Sequence, residues 1–216
     1  MHTAAIASVA VALVAAAAVT LPHRPQQAHA AAASTASAPA PLPGRIPVTP
    51  AQVREAYAAG LIDHPIKSIL DVREPMKYGD FRWDERGVPR GQAWIRIDLK
   101  SQLISVFRAG HEIGTAVILY GTDGYPTPTG KFPILAKLKD HRSATYDNAP
   151  MPYTLRLRND GVSIHGSNVR YGFASHGCIG VPKAFAAKLF DVVHVGDEVL
   201  IVSGKPRPRS RASKVS

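Results

Sequence analysis

Apolar and polar residues alternate with period two through Ile95-Arg96-Ile97-Asp98-Leu99 and again through Leu103-Ile104-Ser105-Val106-Phe107. Alternation of this kind predicts half-buried strands, and Lys100-Ser101-Gln102 between the two runs predicts a hairpin turn. Arg108-Ala109-Gly110-His111 reads as a second turn, leading into a third strand over 112–120. Further short strands are predicted over 131–137, 153–157, 162–165 and 198–202. Between Pro182 and Val193 the spacing changes: Phe185, Leu189 and Val193 recur at helical intervals, so one helix follows the last of the glycine-framed motifs. A second short helix is predicted over 51–59, with Thr49-Pro50 as its N-cap and first-turn proline and Gly60 as its stop. Ile69, Leu70 and Val72 suggest a strand, and Met76, Tyr78, Phe81 and Trp83 a packed arm. Many short strands with one or two short helices predict a mainly β fold, a sandwich or barrel.

Composition divides the chain of 216 residues around this domain. Residues 1–30 contain an apolar run from Ala4 to Leu21, rich in Ala and Val, then Pro22 and the small-residue pattern Ala28-His29-Ala30. They read as a secretory signal or N-terminal anchor, although Met1-His2-Thr3 lacks the usual basic residue. Either form exports the remainder, so the periplasm or cell envelope is the expected location. Residues 31–48, almost entirely Ala, Ser, Thr and Pro up to Pro43, lack the apolar surface needed to offset ordering and are expected to be a disordered linker. Residues 49–92 would form the helix and packed arm, 93–203 the principal domain, and 204–216 a basic disordered tail. The net charge of +10 favours anionic partners without choosing among them. Nucleic acid is excluded as a partner by the export segment and by the lack of interleaved basic and aromatic residues.

Cys178 is the single cysteine, which removes any internal disulfide framework. Its neighbours carry the candidate chemistry: Ser163-Ile164-His165-Gly166-Ser167-Asn168, then Ser175-His176-Gly177-Cys178-Ile179. A thiol attacks as the thiolate, and an imidazole can take its proton near neutral pH. Gly177 allows a tight backbone turn that could aim consecutive amides at a developing oxyanion. Three other readings stay open on these residues: zinc held by His165, His176 and Cys178 without a well-placed fourth ligand, a buried structural histidine, and a solvated loop. Papain-like enzymes place cysteine before histidine, the reverse of the order here. Cysteine phosphatases require an arginine where this chain has Ala184.

Taken in order and spacing, Pro126-Thr127-Pro128-Thr129-Gly130, Met151-Pro152-Tyr153, Ile164-His165-Gly166 and Ser175-His176-Gly177-Cys178-Ile179 resemble the catalytic domain of bacterial L,D-transpeptidases, the YkuD family. The resemblance covers roughly Trp94 to Val202. It implies Cys178 as the acylated nucleophile, His165 as general base, and the Gly166 carbonyl as the group that orients the imidazole. It further implies the amides of Gly177 and Cys178 as oxyanion hole, with His176, Ser175 and Tyr153 lining the substrate cleft. The implied reaction releases D-alanine from a peptidoglycan stem peptide, leaves a thioester on Cys178, and passes the acyl group to an amine. That amine would belong to another stem peptide, a lipoprotein or a free D-amino acid. Water as acceptor would make a carboxypeptidase, and an idle site would leave a cell-wall-binding module. No metal or organic cofactor is required, and carbapenem β-lactams are expected to acylate the same thiol. One departure is Gly180, where the family commonly has arginine.

Overall fold

The computed structural model describes residues 42–144, 147–173 and 175–203. The expected signal or anchor at 1–30, most of the linker and the basic tail lie outside these residues. Among the described residues no helix is long and apolar enough to cross a membrane.

Twelve strands and two helices follow one another in the order β1 (Arg45–Pro47), α1 (Pro50–Ala58), β2 (Ser68–Leu70), β3 (Phe81–Trp83), β4 (Ala93–Asp98), β5 (Leu103–Arg108), β6 (His111–Val117), β7 (Gly130–Pro133), β8 (Ala136–Arg142), β9 (Pro150–Arg156), β10 (Ser163–Ser167), β11 (Ile179–Pro182), α2 (Lys183–Val192) and β12 (Glu198–Val202). The larger sheet runs β1-β2-β6-β5-β4-β12-β7, with β3 also paired to β6, and the smaller runs β11-β10-β9-β8. The fold is therefore mainly β, in a sandwich-like arrangement. The alternating runs behave as their pattern predicts: β4 and β5 pair antiparallel from Ala93–Arg108 to Asp98–Leu103. Ile95, Ile97, Ile104 and Val106 are fully buried.

These side chains meet Leu155 and Ile164 of the smaller sheet and Phe185 and Leu189 of α2 in one core. Phe185, fully buried, meets the rings of Phe81 at 5.9 Å and Trp83 at 5.3 Å edge-on. Edge-to-face contacts of this kind add to the burial of area. The packed arm anticipated around Phe81 and Trp83 is thus β3, docked on β6 and on the helix that follows the cysteine motif.

Three boundaries differ from the sequence reading. The linker expected through residue 48 ends earlier, because Arg45–Pro47 is strand β1, antiparallel to β2. Arg45 is buried and donates hydrogen bonds to the carbonyls of Glu112 and Asp84, so a tertiary anchor holds a segment whose composition looks unstructured. The single strand expected over 131–137 is two strands in different sheets. Ile134, buried between them, bonds to the Asp197 carbonyl while Leu135 bonds to the Arg156 carbonyl, and the chain changes sheet there. The strand expected to continue to Tyr120 leaves β6 after Val117. Leu119 then exchanges both backbone hydrogen bonds with Gly180, at 2.8 and 2.9 Å, and the Ser175 amide bonds to the Tyr120 carbonyl at 3.0 Å. This seam joins the two sheets and fixes the segment that carries Cys178.

Candidate active site

Strands β10 and β11 lie parallel in the register Ile164–Ile179 and His165–Gly180. Ile164 and Ile179 are buried in the core, and successive residues of a strand point to opposite faces, so His165 and Gly180 face away from it. Cys178, one residue ahead of β11 and beside Ser163, falls on that same outer face. The register thereby brings a histidine and a cysteine thirteen positions apart to one cavity of about 550 Å³, whose walls include His165, Cys178, His176, Ser175, Met151 and His141.

His165 Nδ1 lies 3.1 Å from the carbonyl oxygen of Gly166. Nδ1–H donates a hydrogen bond to this carbonyl, which leaves Nε2 as the basic nitrogen. The thiol of Cys178 donates to the Gly161 carbonyl at 3.7 Å. Burial pushes this thiol above its ordinary pKa; a backbone hydrogen bond with Ser163 works the other way, and the Asp160 carboxylate adds to the rise. Burial likewise holds His165 below its ordinary value, opposed by the Gly166 carbonyl and reinforced by the charge of His141. Both shifts favour the uncharged forms, a thiol at Cys178 and a neutral imidazole at His165.

The glycine turn is held from both sides. Gly177 has φ +105°, a conformation that favours glycine. Its carbonyl accepts from the buried Thr127 Oγ1 at 3.0 Å, and the Cys178 carbonyl accepts from Ser175 Oγ. In a trans peptide the amide points opposite to the carbonyl, so pinning these oxygens also sets the directions of the Cys178 and Ile179 amides. Thr127 accepts the Gly121 amide at 2.9 Å with the same oxygen. A side chain at Gly121 has no room, since its Cβ would stand 1.9 Å from the Tyr125 carbonyl.

Of the residues singled out in the sequence, the structure gathers Cys178, His165, His176 and Ser175 around the cavity, with Gly166 and Gly177 supporting it. Tyr153 is not in its wall. Its ring packs edge-on to Phe190 of α2 at 5.8 Å, and the cleft position of that motif belongs to Met151. Two residues given no chemical role in the sequence belong to the site: Thr127, which holds the turn, and His141, which faces the cavity from β8. His141 lies in a run of charged residues, Lys139 to Arg142, without alternation, and only its pairing with Met151 turns it inward.

Among the described residues, the ligand atoms of Asp63, His64 and Glu198 come within 4.8 Å of one another, whereas His165, His176 and Cys178 form no such group. The acidic pair already has a cation: the Lys131 ammonium bonds Asp63 and lies 3.7 Å from Glu198. His64 stacks on Trp94 at 4.8 Å within this cluster. A larger cavity of about 870 Å³ lies between the N-terminal segment and the outer face of β5 and β6; neither cysteine nor histidine lines it.

A thiol and an imidazole share one cavity, beside a glycine turn whose carbonyls are pinned. The L,D-transpeptidase catalytic domain family, YkuD, matches residues 92–201, and the chain belongs to that family. L,D-transpeptidase 1 of Mycobacterium tuberculosis is 27% identical over 136 residues, covering 54% of this chain and 53% of that protein. The chain thus spans about half the length of the curated relatives it matches. A solved L,D-transpeptidase from Stackebrandtia nassauensis is 25% identical, with TM-score 0.49 over 55% of this chain and 59% of the other. An L,D-transpeptidase of Enterococcus faecium is 26% identical, with TM-score 0.47 over 52% and 50%. Another, solved in complex with imipenem, is 25% identical, with TM-score 0.47 over 51% and 58%.

Proposed function

We propose that this protein is a peptidoglycan-modifying cysteine acyltransferase in which Cys178 is the nucleophile and His165 the general base. The observation that carries the reading is the shared outward face of β10 and β11. It sets His165, oriented by the Gly166 carbonyl at 3.1 Å, and Cys178 on one cavity within the matched catalytic domain.

Because burial favours the uncharged form of each partner, proton transfer accompanies attack. The Cys178 proton passes to His165 Nε2 as Sγ bonds to the carbonyl carbon of the stem-peptide amide. The carbonyl oxygen becomes an oxyanion facing the amides of Gly177 and Cys178. Collapse of the intermediate breaks the C–N bond, and the imidazolium returns its proton to the departing amine of D-alanine. The acyl group remains as a thioester on Cys178. An incoming amine then loses a proton to His165, attacks the thioester and releases the thiol. His176 and Ser175 border the donor, with Ser175 also bracing the Cys178 carbonyl. The apolar run over 4–21 supports export to the envelope, where this substrate is found.

Carbapenems present a strained amide to the same thiol. Incubating the protein with imipenem is expected to give one covalent adduct by intact mass, absent in Cys178→Ala and slowed by about 10²- to 10⁴-fold in His165→Gln. An adduct that persists in Cys178→Ala, or none in the unaltered protein, would overturn the assignment. Muropeptide products made with purified stem peptides, a lipoprotein N-terminal peptide or no added amine would name the acceptor.

A further inference from the structure

We propose that the loop ahead of the cysteine carries a saccharide-binding platform that adjoins the thiol cavity across a backbone bridge; this rests on the acyltransferase reading above. The loop exposes two large aromatic side chains, Tyr171 at 85% and Phe173 at 64% of their surface. Two aromatic side chains this open, two positions apart, offer their faces to a ligand. Tyr171 is held edge-on to the half-buried Tyr78 at 5.7 Å. Tyr78 in turn donates from its hydroxyl to Gln102 Oε1 at 2.8 Å, so the base of the platform is fixed. Phe173 and Tyr78 flank a groove of about 320 Å³, shared with Gln102, Tyr120, Thr122 and Asp123. Its size is at the small end of the range for ligand pockets.

The chemistry of this surface selects its occupant. A pyranose ring has an apolar C–H face and a rim of hydroxyls, and it therefore fits aromatic faces beside carboxylate, amide and hydroxyl groups. A protein partner would call for one contiguous apolar patch. Here the groove is mixed, with Gln102, Thr122 and Asp123 beside the rings of Tyr78, Tyr120 and Phe173. The position fits as well. Leu119 lines both the groove and the thiol cavity, and the Gly121–Ser175 bridge divides them. A polymer of amino sugars bearing peptide branches can thus lay a sugar on one side of the partition while its branch enters the other. A third exposed ring, Tyr125, meets His176 at 4.6 Å and extends the aromatic border to the cavity mouth.

The test uses the full chain carrying Cys178→Ala, so that nothing turns over, titrated with the tetramer of N-acetylglucosamine and separately with a sugar-free stem peptide. NMR or calorimetry is expected to show the oligosaccharide binding. Tyr171→Ala and Phe173→Ala should each weaken it roughly 2- to 13-fold, the scale of one lost aromatic contact, and the double variant more than either. Peptide affinity should stay constant across the same proteins, with thermal melting confirming that each is folded. No oligosaccharide binding, equal binding by the double variant, or parallel loss of peptide affinity would each overturn the proposal. The imipenem adduct is an independent measurement: its failure would remove the catalytic reading and leave the sugar titration unchanged.

Discussion

Thr127 Oγ1 donates to the carbonyl of Gly177 at 3.0 Å, from a position fifty residues earlier in the chain. The bond ties the turn before the nucleophile to the loop over 121–130, and the same oxygen accepts the Gly121 amide. Thr127 touches no reacting atom; it is a positioning residue. Thr127→Val keeps the shape and leaves a buried amide and a buried carbonyl without this partner, at a cost of about 1–3 kcal/mol. The rate constant for acylation by imipenem is expected to fall about 10- to 100-fold through displaced amides, with Thr127→Ser restoring most of it. A melting temperature that drops with no change in the acylation rate would reduce Thr127 to a stabilising role.

The pH profile of acylation follows from the two shifts at the site. Burial lowers His165, so its neutral, basic form survives to lower pH than an ordinary imidazole would allow. Burial raises Cys178, so the thiol stays protonated to higher pH than an ordinary one. Acylation should rise through an acid limb below the usual histidine range, then hold a plateau that extends past the usual thiol range. Stopped-flow measurement from pH 4 to 10 checks this. An acid limb at or above the ordinary histidine value would contradict the neutral pair.

His141 sets part of that limb. Its charge disfavours the imidazolium form of His165; the cavity wall also carries His176 and Asp160. Asp160 is held by Arg158 at 2.6 Å, which partly offsets its field. Removing the charge in His141→Gln should let His165 hold its proton more strongly and move the acid limb to higher pH, with little change on the plateau. An unmoved limb would show that the two rings do not sense each other.

Much of this architecture is visible in the sequence because it depends on local periodicity. The β4–β5 hairpin and helix α2 are written in alternation and in helical spacing, and both stand where the pattern puts them. The cysteine and histidine were legible through their glycine neighbours, since tight turns beside a nucleophile require that residue type. What escaped depends on long-range pairing. Arg45 lies in a Pro-rich stretch, and its strand exists only because β2 and the carbonyls of Asp84 and Glu112 receive it. His141 sits in a polar strand whose facing is set by Met151 across the hairpin. The family resemblance implies Tyr153 in the cleft, whereas a positive φ of +57° accompanies a ring turned toward Phe190.

The buried anchor at Arg45 makes a separate stability prediction. Arg45→Met would keep much of the side-chain volume and delete the bonds to two carbonyls, costing about 1–3 kcal/mol. For a chain of this size that is roughly 2–4 °C of melting temperature per kcal/mol. The acylation rate well below the transition should be unaltered, because Arg45 bonds to the carbonyls of Asp84 and Glu112 and is not in the cavity wall. An unchanged melting temperature would mean that β1 contributes nothing to the fold.

Gly180, which departs from the arginine common in the family, has a steric explanation that can be tested. A Cβ at this position would stand 3.0 Å from Ser167 Cβ, 3.3 Å from Ser167 Oγ and 3.4 Å from Leu119 Cβ. Ser167 and Gly180 both border the cavity, so the small residue at 180 accommodates the serine across the strand pair. Gly180→Ala alone should lower stability by about 1–3 kcal/mol, the usual cost of overpacking, and slow acylation by displacing Ser167. Ser167→Gly should relieve that strain, leaving the double variant more stable than the sum of the single changes by roughly 0.5–3 kcal/mol. Strict additivity in the cycle would show that the two positions are independent, and that contact with Ser167 is not what holds glycine at 180.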